Sequence, residues 1–230
     1  TMRFPRSSGI LLHPTSLPGP WGIGALGHEA CQFVDFLRDS GQGIWQVLPL
    51  GPTGYGDSPY QCFSAFAGNP LLISPDLLLE WGHLKPADVA ERPAFDDGYV
   101  DYGPVIQWKS SLLTTAFRNW THSRTQDERA RFEGFCQRQA SWLEDYALFM
   151  ALKDAHQGAV WTTWEQDIAR RTSDGLAGWR DSLASEVERF KYLQYVFLEQ
   201  WSALRRYAAE RGVRIVGDIP IFVAHDSADV

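Results

Sequence analysis

Gly43-Ile-Trp-Gln-Val-Leu-Pro-Leu50 runs directly into Gly51-Pro-Thr-Gly-Tyr-Gly-Asp-Ser-Pro-Tyr-Gln-Cys-Phe-Ser-Ala-Phe-Ala-Gly-Asn-Pro70. The first half is a short apolar run, and it predicts a buried strand over Ile44 to Leu48. The second half is too rich in Gly, Pro and Ser for a helix and too long for a simple turn. A long irregular loop behind a strand is a functional element more often than a spacer. Working outward, Gly27 to Ser40 places Ala30, Phe33, Val34 and Leu37 at helical spacing, and Gly41 supplies a stop. Before it, Ile10 to Leu12 is another brief apolar run, ended by His13-Pro14. Strand, helix, strand with continuously apolar strands is a parallel βα unit.

From about Leu77 to Gly212 the character changes. Thr125 to His156 has a helical pattern, with Trp142, Tyr146, Phe149 and Met150 near one face. A second long helix is expected from about Ser182 to Glu210, with Val187, Phe190, Leu193, Phe197, Trp201, Leu204 and Ala208 as its apolar stripe. Between them, Gly158 to Gly178 is a breaker-rich connection that holds Trp161 and Trp164. Arg214-Ile-Val-Gly217 predicts a third strand. The expected organisation is therefore 1–76, two βα units with the loop; 77–212, a mostly helical insertion; and 213–230, the third strand with the start of its following loop.

The bulk composition narrows the classes. A charged fraction of 21% and a hydrophobic fraction of 44% are those of a soluble globular protein. The net charge of −7 argues against nucleic acid and anionic membranes as partners, because both require a basic footprint. The three cysteines, Cys31, Cys62 and Cys136, are far apart and form no Cys-x-x-Cys pair, so reduced thiols in a cytoplasmic protein are expected. No apolar run approaches the ~20 residues of a membrane helix. The start, Thr1-Met-Arg-Phe-Pro5, has no apolar leader segment. The six histidines form no ligand cluster, and there is no phosphate-binding glycine loop or Gly-x-Ser-x-Gly elbow. No metal or organic cofactor is implied. Trp142, Trp179 and Trp201, among ten tryptophans, fall in helical patterns and are expected to pack internally.

The 51–70 loop carries two tyrosines, a carboxylate, a hydroxyl and a primary amide. Flat rings beside directional polar groups suit a sugar, which has an apolar ring face and a rim of hydroxyls. Four segments make the chain resemble the 4-alpha-glucanotransferases, also called amylomaltases or disproportionating enzymes. They are Gly9-Ile-Leu-Leu-His-Pro-Thr-Ser-Leu-Pro18, the 51–70 loop, Val100-Asp-Tyr-Gly103, and Gly217-Asp-Ile-Pro-Ile-Phe-Val-Ala-His-Asp-Ser-Ala-Asp-Val230. They occur in the family's order across nearly the whole chain.

The resemblance implies part of a (βα)8 barrel, with a mostly helical insertion between its second and third strands. It implies α-1,4-glucans and maltooligosaccharides as partners. Asp218 would hydrogen-bond the sugar ring at the cleavage subsite, without being the nucleophile, and Tyr60 would stack under the same sugar. Asp57, Ser58 and Gln61 would be rim contacts. Tyr55 and Tyr102 match aromatics of an accessory glucan site. The local alternatives stay open: Asp218 as a cap of the following turn, Tyr60 as a plug of its loop. His13 either lines the barrel mouth or is satisfied by backbone groups, and His225 is a weaker candidate near Asp218.

Retaining glycosyl transfer needs two carboxyl groups about 5 Å apart. In the family these lie in a later Arg-Ile-Asp-His type motif and at a later Glu. No Arg-Ile-Asp occurs here, so no catalytic residue is assigned within the chain, and the pair is expected downstream of Val230. The expectation is an N-terminal portion of a larger enzyme, inactive alone and prone to self-association through uncovered strand edges. The rivals are an α-1,4-glucan hydrolase of the α-amylase type and a non-catalytic glucan-binding fragment.

Overall fold

The computed structural model describes residues 6–230, with all their side chains except that of Tyr55. The leader reading of residues 1–5 and the role of the Tyr55 ring lie outside the described residues. The elements are β1 (Gly9–Leu11), α1 (His28–Asp39), β2 (Ile44–Gln46), α2 (Pro75–Glu80), α3 (Tyr102–Ser123), α4 (Gln126–Arg138), α5 (Ala140–Ala155), α6 (Gln166–Ala169), α7 (Ser173–Ser182), α8 (Ala184–Glu210) and β3 (Arg214–Val216). The class is α/β, with a helical majority and one small parallel sheet.

The residues fall into two units. The first takes residues up to Leu50, Gly68–His122 and Val196–Ile219; the second takes Gly51–Ala67, Ser123–Tyr195 and Pro220–Val230. The boundaries read at 76/77 and 212/213 both lie within the first unit.

In the first unit β2 is central, with β1 and β3 parallel on either side. Ile10 and Ile215 both stand opposite Trp45. The ladder continues one step past each strand, with Leu12 N–H donating to Gln46 O at 3.0 Å and Val47 N–H to Val216 O at 2.9 Å. The close approach of β1 to β2 requires glycine at position 9, where a Cβ would collide with Ile44. Trp45 is fully buried, donates its indole N–H to Leu12 O at 2.8 Å, and meets the Phe33 ring edge-on at 5.0 Å. From α1, Ala30, Val34 and Leu37 are buried. The helix ends as Gly41 turns to φ +70°, with Gln42 N–H returning to Leu37 O at 2.8 Å.

A further helix, α3, occupies 102–123, a stretch with no specific helix assigned from sequence. It buries Val105, Leu112, Leu113, Ala116, Phe117 and Trp120, and with them Lys109. The Lys109 ammonium nitrogen donates to the carbonyls of Leu71 at 2.6 Å and Ile73 at 2.9 Å.

In the second unit the expected helix over 125–156 is two helices, broken at Gln139, whose backbone turns to φ −104° and ψ 8°. Thr125 and Glu128 form a capping box on α4: Glu128 N–H donates to Thr125 Oγ1 at 3.2 Å and Thr125 N–H to Glu128 Oε2 at 2.7 Å. Leu148, Leu152, Trp164 and Ile168 form a buried cluster, with Phe149, Trp161, Leu176 and Trp179 packed against it. Trp142, Trp179 and Trp201 are all half-buried, Trp179 against this cluster. The connection expected over 158–178 contains α6 and the start of α7. No helix among the described residues is long and apolar enough to cross a membrane.

Candidate functional site

In the second unit the 51–67 loop folds back on itself. Thr53 bridges Cys62 in antiparallel sense. Gly54 N–H donates to Gln61 O at 2.7 Å, Phe63 N–H to Pro52 O at 2.9 Å, and Gln61 N–H to Ser58 O at 3.0 Å. The tip turns through Gly56 at φ +66° and Asp57 at φ +54°. Aspartate tolerates that left-handed conformation better than most residues. Burial pushes the Asp57 carboxyl above its ordinary range.

This loop is one wall of a groove of about 790 Å³. Gly54, Ser58, Tyr60, Gln61 and Phe63 make the first wall, Val160, Trp161 and Thr162 the second, and Ile221 to Asp226 the third. Tyr60 is 45% exposed and Phe222 83% exposed, so both present open ring surface. Trp161 donates its indole N–H to His225 O at 2.6 Å, and the His225 ring stands edge-on to it at 5.3 Å. The third wall is fastened to the loop by Asp229. Its Oδ1 accepts from Ser64 Oγ at 2.9 Å and its Oδ2 from Ala65 N–H at 2.6 Å, while Ala228 N–H donates to Phe63 O at 2.8 Å.

Ser58, Tyr60 and Gln61 are therefore gathered in one groove, and Asp57 sits on the same loop without lining it. In the first unit, His13 follows β1 and Asp218 follows β3, at the same end of the parallel sheet. His13 is half-buried, and its Nδ1 has no hydrogen-bond partner among the described residues. Burial lowers its pKa from 6.5 to about 4, so the ring is neutral at neutral pH. Asp218 is exposed and accepts from Ile219 N–H at 2.8 Å through Oδ1. Tyr102, the first residue of α3, is half-buried against Ile23, Leu71 and Val105. No group of three or more His, Cys, Asp or Glu among the described residues could hold a metal ion.

Of the groove residues, Val160, Thr162, Phe222 and Asp226 were not singled out from sequence. Trp161 was visible only as an aromatic in a breaker-rich connection. The signal that could have found it is the pairing of an exposed-loop tryptophan with a second loop rich in Gly, Tyr and Ser.

A family model described as 4-alpha-glucanotransferase matches residues 12–230. The chain belongs to the 4-alpha-glucanotransferase family. It is 52% identical over 229 residues to the 4-alpha-glucanotransferase of Thermus thermophilus, covering 100% of this chain and 45% of that relative. It is 52% identical over 228 residues to the Synechocystis 4-alpha-glucanotransferase, covering 98% and 45% respectively. Its structure superposes with a TM-score of 0.93 on the amylomaltase from Streptococcus agalactiae in complex with acarbose, at 39% identity, covering 98% of this chain and 45% of that one. The chain spans about half the length of the curated 4-alpha-glucanotransferases that it matches.

Proposed function

We propose that the protein is a retaining 4-alpha-glucanotransferase, and that these 230 residues supply substrate-binding surface while the catalytic carboxylate pair comes from elsewhere in the protein. In the first step a carboxylate attacks C1 of a glucosyl unit. A carboxylic acid gives its proton to the departing 4-oxygen, and a covalent glycosyl ester forms. In the second step the 4-hydroxyl of an acceptor sugar loses its proton to that same acid/base group and attacks C1, which frees the nucleophile.

Here Tyr60 offers its face to the sugar ring, with Ser58 and Gln61 at the rim. Asp218 and His13 stand at the C-terminal end of the parallel strands, where barrel enzymes place their sites. The exposed apolar side chains of Leu11 on β1 (55%) and Val216 on β3 (44%) support a sheet that continues into a (βα)8 barrel. Tyr55 and Tyr102 would each serve as an accessory glucan-site aromatic, and the protein would work in the cytoplasm.

One observation carries this proposal. In a chain of this family, a groove within the ~300–1,000 Å³ range of ligand sites holds Tyr60, Ser58 and Gln61 opposite Trp161. The test is product analysis of the whole protein on maltotriose. A ladder of longer maltooligosaccharides with glucose means transfer. Maltose and glucose alone mean hydrolysis, and binding without turnover means a glucan-binding protein; either result rejects the proposal.

A further inference from the structure

We propose that Lys153 is a positioning residue that sets the spacing of all three groove walls, a role that rests on the groove being the glucan site proposed above. Lys153 lies on α5 and is 5% exposed. Its ammonium donates to Gly158 O at 3.2 Å, to Ala159 O at 3.2 Å and to Asp226 Oδ2 at 2.6 Å. An ammonium has three N–H donors, and all three are used. The nitrogen also lies 5.1 Å from the centre of the Phe63 ring, within cation–π range.

Each partner belongs to a wall or abuts one. Phe63 ends the first wall, Ala159 immediately precedes Val160 and Trp161 of the second, and Asp226 ends the third. These three segments are far apart in sequence and meet at one nitrogen atom. Asp226 has little else to hold it: its Oδ1 is buried with no hydrogen-bond partner among the described residues. The indole N–H of Trp161 then ties the second wall to the third at His225 O. The arrangement needs a compact point donor. The planar fork of arginine would not reproduce three bonds converging on one nitrogen.

The grip of Tyr60, Trp161 and Phe222 on a glucan ring depends on the spacing of the walls that carry them. Two substitutions in the whole protein test this role. Lys153→Met keeps length and removes the donors, while Asp226→Asn keeps shape and removes the charge. Amide hydrogen exchange is followed in peptides covering 54–63, 158–162 and 221–226, together with maltooligosaccharide affinity and the KM and kcat on maltotriose.

Lys153→Met is expected to speed exchange about tenfold in 158–162 and 221–226, and by less in 54–63, where Lys153 meets only the Phe63 ring, while leaving α4 unchanged. It should weaken glucan affinity and raise KM about tenfold, with a smaller change in kcat, as loss of binding shared by ground and transition state does. Asp226→Asn is expected to loosen 221–226 alone. Unchanged exchange in both walls of folded Lys153→Met overturns the proposal, and so does a uniform rise that includes α4. Should Lys153→Met fail to fold, Asp226→Asn decides: unchanged exchange at 221–226 overturns the proposal. A wild-type protein that binds no maltooligosaccharide rejects the glucan reading, and the exchange data still report on the clamp itself.

Discussion

Lys109 gives a test of how a buried cation shapes stability. Its side chain is fully buried, and burial lowers its pKa from 10.5 to about 7 against the opposing pull of the Asp76 and Glu29 carboxylates. Between those two pH values the unfolded chain carries a proton that the folded chain does not hold. Stability therefore rises as pH increases from about 7 towards 10.5, and is flat below about 7, where both states are protonated. At about 1.36 kcal/mol per pH unit, the whole interval is worth at most about 5 kcal/mol. Lys109→Met removes this proton linkage but leaves the Leu71 and Ile73 carbonyls without their donor. Each such buried acceptor costs about 1–3 kcal/mol.

Lys109→Met should accordingly be clearly less stable than the parent near pH 10 and close to it, or more stable, near pH 7. The difference between the two proteins should move by about 4 kcal/mol across that range. Urea unfolding of both at pH 7, 8, 9 and 10 reads this directly. Curves that stay parallel across the range would refute the proton linkage, and with it the placing of Lys109 as a desolvated group.

Other expectations follow from neighbouring features. Asp229→Ala removes the acceptor of Ser64 Oγ and Ala65 N–H, so it should destabilise the second unit by about 1–3 kcal/mol and speed exchange at 63–66; no change in either would show that the clasp is idle. The His13 pKa lies below its unfolded value, so its contribution is complete above pH 6.5 and is lost as pH falls towards about 4. His13→Gln should flatten the acid side of a plot of Tm against pH, and identical acid slopes would contradict the burial argument. The isolated 230-residue chain exposes Ile219 (73%), Ile221 (87%) and Phe222 (83%), and should self-associate in light scattering at micromolar concentration, where a monodisperse monomer is the opposing result.

The sheet was legible because its strands are short apolar runs, and because α1 repeats Ala30, Val34 and Leu37 between Gly27 and Gly41. The stripe of α8 was legible for the same reason, with Phe190, Leu193, Phe197, Leu204 and Ala208 all buried. The second and third strands proved shorter than expected and the first begins one residue earlier, at Gly9; Pro49, which has no N–H to donate, follows shortly after β2. Helix α3 escaped assignment because Gly103 and Pro104 open it and a lysine fills one of its buried positions, hiding the stripe. The break at Gln139 carries no Gly or Pro to announce it. Of the groove, the Ser58-Pro-Tyr-Gln61 wall could be read from local composition. The Trp161 and Phe222 walls could not, because they join it through long-range contacts, among them those of Lys153, Asp229 and Ala228, that leave no local pattern.

The most direct measurement is a crystal structure of the whole protein soaked with a maltooligosaccharide longer than maltotriose. The expected result is a glucosyl ring against Tyr60 in the 790 Å³ groove, with hydroxyls within hydrogen-bond reach of Ser58 and Gln61. A maltooligosaccharide bound elsewhere, with the groove empty and Tyr60 bare at saturating ligand, would contradict the assignment of this groove to glucan.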